Sequence, residues 1–231
     1  VTAIAQRTGL PSATASRLVA ELVDYGLLSR DAHGRVRVGV HLWELAQRAS
    51  PTLALREVAM PFMQDLHSVV GHHVQLAVLD GDEVLFVERL AAPQAVINLT
   101  RIAGRLPLHA SSSGLVLLAN ACPEQQDRIL SRPLRVYTTQ TINSPQELRT
   151  ALADIRRQRF VICPGHIHLD ACGMAVPVLD PQNEVIAALS VIVPNDVHAR
   201  EQLPALLAAA RGITGTLRAP RWTHAATSSI Q

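Results

Sequence analysis

The sequence predicts an α+β chain of two domains, a small winged helix-turn-helix followed by a larger domain in which helices accompany a mainly antiparallel sheet. Three observations predict it. The first fifty residues read as helix, glycine-bearing turn, helix and short basic hairpin. Beyond them, stretches of helical periodicity alternate with short alternating or continuous apolar runs. Apolar residues make up 48% of the 231 positions, enough for a substantial core.

Taken in order, Thr2 to Arg7 reads as a helix with Ile4 and Ala5 inward, and Thr8-Gly9-Leu10 as a turn. Pro11 and Ser12 offer the next helix start, since proline suits a first turn and serine can cap it. Ala15, Leu18, Val19, Leu22 and Val23 then form one apolar helical stripe. Gly26 is placed as a left-handed stop. Leu27 and Leu28 begin a strand, Asp31-Ala32-His33-Gly34 supplies a hairpin turn, and Arg35, Val36, Arg37 and Val38 alternate, putting both arginines on one face. His41 to Ala49 reads as a helix, Ser50-Pro51-Thr52 as its break, and Leu53 to Val70 as a second helix.

The rest alternates in type. Residues 74–80 and 84–90 make a hairpin about a Gly-Asp turn, and Val96 to Leu99 reads as a further strand. Helices are expected at 113–121, 124–131 and 145–158, the last with Ser144, Pro145 and Glu147 as a capping box. Strands are expected at 160–163, 173–179 and 184–193, with Asp180-Pro181-Gln182-Asn183 turning between the last two. A final helix at 197–217 precedes a loose polar tail, 218–231.

Composition narrows the function. No uninterrupted apolar run reaches about 18 residues, so no membrane span is read. Three cysteines, Cys122, Cys163 and Cys172, are too few and odd in number for a disulfide framework, which predicts a reducing cytoplasm. All 21 basic residues are arginine. Residues 1–50 hold six arginines against four acids, while residues 51–231 hold fifteen of each, so the net charge of +2 sits entirely in the front fifth. A basic hairpin beside a helix-turn-helix points to double-stranded DNA as partner. Ser12, Ala13, Thr14, Ser16 and Arg17 form the outer face of the second helix: hydroxyls and a guanidinium that can donate to bases or phosphates, with alanine allowing close approach. Arg35 and Arg37 are the expected phosphate contacts.

Two further clusters carry chemistry. In "HASSSG", His109 to Gly114, three hydroxyls and exposed amides precede a helix, an arrangement that suits an anion. Capping by one serine is the plainer use of these residues. A hydrolytic reading makes a serine the nucleophile and His109 its base, but no nucleophile-elbow motif surrounds them. "CPGHIHLDAC" brings Cys163, His166, His168 and Cys172 within ten residues. These are zinc-type ligands, yet Cys-x2-His-x-His-x3-Cys is not a spacing that ties them to a known site, so no metal, or at most an adventitious one, and no cofactor is expected.

The pieces resemble the IclR-type bacterial transcriptional regulators. The resemblance is carried by "TGLPSATASRLVAELVDYGLLSRDAHGRVRVGVHLWELA", by "GRLPLHASSSGLVLLA" (104–119) and by "AVPVLDPQNEVIAALSVIVP" (175–194), and runs to about residue 217. It implies a winged helix-turn-helix over 1–40, lacking the family's preceding helix and so expected to be truncated. A linker helix over 41–52, an effector-binding GAF-like domain over 53–217 and the tail complete the chain. It also implies a homodimer or homotetramer that is not an enzyme and that senses an organic acid. The effector set would be Ser111, Ser112, Ser113, Gly114, Cys163, Gly173, Met174, Ser190 and Ile192. In the family's glyoxylate-binding kind, an aspartate, a cysteine and a serine stand at the positions of Cys163, Gly173 and Ile192. The replacements imply a larger, less polar acid, aromatic or branched, with His109 bracing the loop. The rival expectation is a stand-alone sensor or hydrolytic enzyme using the Ser/His/Cys cluster.

Overall fold

The computed structural model describes residues 1–49, 51–93, 95–96 and 102–219. The chain divides into two compact units, Val1–Ala54 and Leu55 onward. In the first, α1 (Thr2–Thr8) ends at Gly9 and α2 (Ser12–Asp24) runs to the turn at Gly26; both glycines adopt the left-handed conformation, at φ 68° and 70°. α2 departs from the expected start. Pro11 is its N-cap, no side-chain cap is made, and Ser12 is the first helical residue with its side chain exposed. Ala5, Ala15 and Val19 form a thin core, while Leu18 and Leu22 remain 41% and 38% exposed.

The wing is β1 (Leu28–Arg30) paired antiparallel with β2 (Val36–Val38). One Asp31 oxygen accepts the backbone N–H groups of His33 and Arg35, both at 2.9 Å, which closes the turn. Gly39 lies so close to the end of α2 that a Cβ there would sit 2.0 Å from the Gly26 carbonyl oxygen. α3 follows over Val40–Ala49, carrying Leu42, Trp43 and Leu45 exposed.

The second unit is built on a six-stranded antiparallel sheet. Its strands are β3 (His73–Asp80), β4 (Glu83–Leu90), β5 (Arg105–Pro107), β6 (Val161–Pro164), β7 (Ala171–Leu179) and β8 (Val185–Pro194), in the order β5-β4-β3-β8-β7-β6. The β7–β8 hairpin turns on Asp180, whose Oδ1 accepts the N–H groups of Gln182 and Glu184 at 2.8 Å. One sheet face packs on α4 (Pro51–Val70) and α8 (Leu203–Leu217). There Met174, Val176, Leu189 and Val191 meet Met63, Leu66, Leu206 and Ile213. Gly212 lets α8 approach α4, since a Cβ would fall 2.3 Å from the Phe62 ring. The other face packs on α5 (Ser112–Ala119), α6 (Pro123–Leu130) and α7 (Pro145–Gln158), with Phe86, Ala175 and Ala188 against Leu115, Leu118, Leu148 and Leu152. Ser144 caps α7 by accepting the Glu147 N–H at 3.2 Å.

Several expectations shift. α4 begins at Pro51 and β7 at Ala171, each two residues early. The final helix opens as a 3₁₀ turn, Ala199–Gln202. β5 was not expected: three residues ending in proline show no alternation. Of the strand expected at 96–99, Val96 lies outside any strand and 97–99 fall outside the described residues, as do 220–231 of the expected tail. Arg218, placed in that tail, donates to Asn183 Oδ1. A bulge in β4 at Val87 shifts its register on β3, so that Glu88 lies opposite Leu76. Glu88 thereby faces α4, where Arg56 Nε donates to it at 2.5 Å; the carboxylate side chain is only 5% exposed.

Candidate effector site and DNA-contacting surface

On α2, Ser12, Ala13, Ser16 and Arg17 are exposed and Thr14 half-buried, on the side opposite buried Ala15 and Val19. The helical period thus leaves hydroxyls and one guanidinium on a solvent face of the first two turns. In the wing, Arg35 Nε donates to Asp31 Oδ2 at 2.9 Å, and Arg37 donates through Nε and a terminal nitrogen at 3.1 and 3.0 Å. The Arg35 N–H foremost, then the Arg37 guanidinium, holds the Asp31 carboxyl below the usual carboxylate range. The two arginines keep side-chain exposures of 67% and 62%, so they are oriented without being buried.

The second unit holds a cavity between the sheet and the start of α5. Period-2 alternation decides what reaches it. Gln75 of β3, Cys163 of β6, Gly173 of β7 and Ile192 of β8 line it, while their neighbours Val74, Cys172, Met174 and Val191 turn to the α4–α8 core. Met174, expected in the effector set, therefore lies behind the sheet, fully buried and away from the cavity.

Ser111, Ser112 and Ser113 all line the cavity but behave differently. Ser111 is the N-cap of α5, accepting the Gly114 N–H at 3.1 Å. Ser113 Oγ donates to Ser190 Oγ at 2.8 Å, a pair in which both residues are buried. Ser112 Oγ makes no hydrogen bond among the described residues; a Cβ on Gly173 would approach it to 3.0 Å and Ile192 Cδ1 to 3.3 Å. Gly114 is set by packing, since a Cβ would lie 2.4 Å from the Leu108 carbonyl oxygen. The cavity also takes Phe86, Leu106, Ala110, His166, Ile167, His168 and Ala171, which sequence reasoning had not placed there. His166 and His168 had been noticed only as metal-type ligands. Phe86 and Gln75 sit on strands whose pattern shows two faces but not which one a helix N-terminus will meet.

His109 Nε2 donates to the Arg135 carbonyl at 3.0 Å, and His109 does not line the cavity. Burial keeps the His109 and His166 imidazoles below their ordinary pKa, hence neutral at pH 7. Burial likewise pushes the Cys163 thiol well up and the Cys172 thiol to about 11, so neither is a ready thiolate. Cys163 and Cys172 belong to cores on opposite faces of the sheet. Among the described residues, no group of three or more His, Cys, Asp or Glu is placed to hold a metal ion.

A family model described as "Bacterial transcriptional regulator IclR C-terminal" matches residues 47–216, and one described as "IclR helix-turn-helix domain" matches residues 1–32. The chain belongs to the IclR family. It is a transcriptional regulator, not an enzyme, with a helix-turn-helix DNA-binding domain and a C-terminal effector-binding domain. The chain is similar to the transcriptional repressor IclR of Escherichia coli (strain K12), 28% identical over 198 residues, covering 84% of this chain and 72% of that protein. It is also similar to the Pca regulon regulatory protein of Pseudomonas putida, 27% identical over 218 residues, covering 91% and 74%. Among solved structures, an IclR homolog complexed with 4-hydroxybenzoate, from Microbacterium hydrocarbonoxydans, is 48% identical with a TM-score of 0.89, covering 94% of this chain and 90% of that one. No helix among the described residues is long and apolar enough to cross a membrane.

Proposed function

We propose that this IclR-family regulator senses a small aromatic carboxylate. The observation that carries the reading is the cavity: apolar walls from Phe86, Leu106, Ile167 and Ile192 converge on the N-terminus of α5. Helix N-terminal amides and the Ser112 hydroxyl suit the carboxylate. Cys163 and Ile192 supply no charge, and Gly173 leaves room for a ring. Support comes from the 4-hydroxybenzoate-bound homolog, whose identity and coverage are high.

On the DNA side, the α2 face meets bases and the wing arginines meet phosphates. The protein acts as a dimer at least, the exposed Leu42, Trp43 and Leu45 of α3 being covered by a second copy. Two operator half-sites then lie about 34 Å apart or a multiple of that.

Thermal unfolding with 4-hydroxybenzoate, benzoate, branched acids, pyruvate and glyoxylate tests the sensor reading. A true effector stabilises the domain by about 2.7 kcal/mol at a hundredfold excess over its dissociation constant. Gly173→Val, which fills the space before Ser112 and Ile192, is expected to remove that shift while the domain stays folded. Stabilisation by glyoxylate and pyruvate alone would overturn the aromatic reading and leave the family assignment intact.

A further inference from the structure

A second residue lining the cavity, outside the set discussed for the carboxylate, carries a ring nitrogen with no hydrogen-bond partner among the described residues. His166 follows the end of β6, beyond Gly165 in the left-handed conformation at φ 73°. Its main chain is locked from several sides. The His166 carbonyl accepts Thr141 Oγ1 at 2.6 Å, the Gly165 carbonyl accepts Thr138 Oγ1 at 2.6 Å, and the Gly165 N–H donates to the Ala171 carbonyl at 2.9 Å. The backbone is fixed, yet ring atom Nδ1 is buried and meets no hydrogen-bond partner. Native structures rarely leave such an atom unsatisfied, because a desolvated polar group without a partner costs stability. His67 and His72 also carry an unpartnered ring nitrogen, but neither lines the cavity.

The other polar groups of the cavity have partners. Ser111 is occupied by its cap and Ser113 by Ser190. Gln75 is engaged as well. His168 Nδ1 accepts the Asp170 N–H at 3.3 Å. Ser112 Oγ and the His166 ring meet no hydrogen-bond partner among the described residues, and both residues line the cavity. A ligand that satisfied both would be an acid with a second, uncharged polar group.

We infer that the His166 imidazole hydrogen-bonds a neutral polar substituent on the ring of the effector, so that His166 selects hydroxylated aromatic acids over unsubstituted ones. This rests on the aromatic-carboxylate reading above. A neutral imidazole presents one donor and one acceptor, which matches a phenolic hydroxyl in either sense. The lowered basicity of the buried ring agrees with an uncharged partner. A site built to bond a hydroxyl discriminates against the analogue lacking it, because its own polar atom is then left unpaired.

Calorimetric titration of the full chain with 4-hydroxybenzoate, benzoate and 4-methylbenzoate tests this. The wild-type chain is expected to prefer the hydroxy acid over both others by on the order of tenfold or more. His166→Phe is expected to bring that ratio to about one by weakening only the hydroxy acid. His166→Asn, whose amide can reach toward the same position, restores part of the preference. His166→Ala gives the same reading as the phenylalanine variant if the larger ring is not accommodated. An unchanged ratio in these variants overturns the inference, as does a parallel loss for all three acids, which would put His166 on the carboxylate or in packing. Failure of the wild-type chain to bind any of them removes the aromatic reading itself and this inference with it.

Discussion

Val1–Ala54 carries its polar face outward over a thin core, whereas the effector domain encloses its polar groups between a sheet and helices. In the first unit, Arg17, Arg35 and Arg37 are held by local structure, one helix and one turn closed by Asp31. In the second, Ser112, Cys163, His166, Gly173 and Ile192 come from across the domain and meet only because the sheet is complete. Local scaffolding suits contact with a large, highly charged duplex, where several exposed groups share the work. An enclosed cavity suits a small ligand, which must be surrounded to be bound and distinguished.

The largest effects should come from closing each unit's tightest approach. Gly114→Val drives side-chain atoms into the Leu108 backbone and should cost about 3 kcal/mol or more of effector-domain stability. Gly39→Val does the same at the root of the wing against Gly26, and should abolish DNA binding while ligand-induced stabilisation survives. Thermal melts with and without ligand, alongside DNA gel shifts, separate the two. If Gly39→Val abolishes ligand binding as well, the two functions are not housed independently.

Removing Arg56 strands the Glu88 carboxylate behind α4. Arg56→Met should cost about 1–3 kcal/mol, below the full cost of breaking a buried pair because the arginine is 43% exposed. Urea unfolding checks it, and the double variant Arg56→Met with Glu88→Gln should recover part of the loss. No recovery would mean that the pair contributes through packing alone.

On the outer face the contrast is in specificity. Arg17→Ala should weaken operator binding by about 1–3 kcal/mol and leave nonspecific DNA much less affected. Arg35→Ala should weaken every sequence alike and flatten the salt dependence. Quantitative gel shifts at several salt concentrations distinguish them; equal losses for both variants on random DNA would reduce α2 to a phosphate contact.

The smallest effect concerns pH. His73, His109 and His166 are held below their ordinary pKa, chiefly by burial, so between about pH 6.5 and their folded values the unfolded chain binds more protons. Stability should therefore hold above that range and decline as pH falls through it. His198, raised by Glu201 at the surface, works in the opposite sense and partly offsets the decline. Melting temperatures from pH 8 to 5.5 give the slope, and His109→Gln should reduce it.

Much of this was legible in the sequence because its causes are local. The stripe of α2, the capping box of Ser144, the turn residues at Gly26, Asp31 and Asp180, and the charge asymmetry each depend on side chains a few positions apart. The serine run before α5 was legible for the same reason, and so was the exposed polar face of α2. Tertiary structure alone decided which serine caps, which pairs with Ser190 and which faces the cavity, since that depends on where β7 and β8 pass over α5. It also turned Met174 away and His166 in, and used a one-residue bulge to bring Glu88 to Arg56. Strand periodicity says that two faces exist; only the helices packed on each face determine which becomes core and which becomes site.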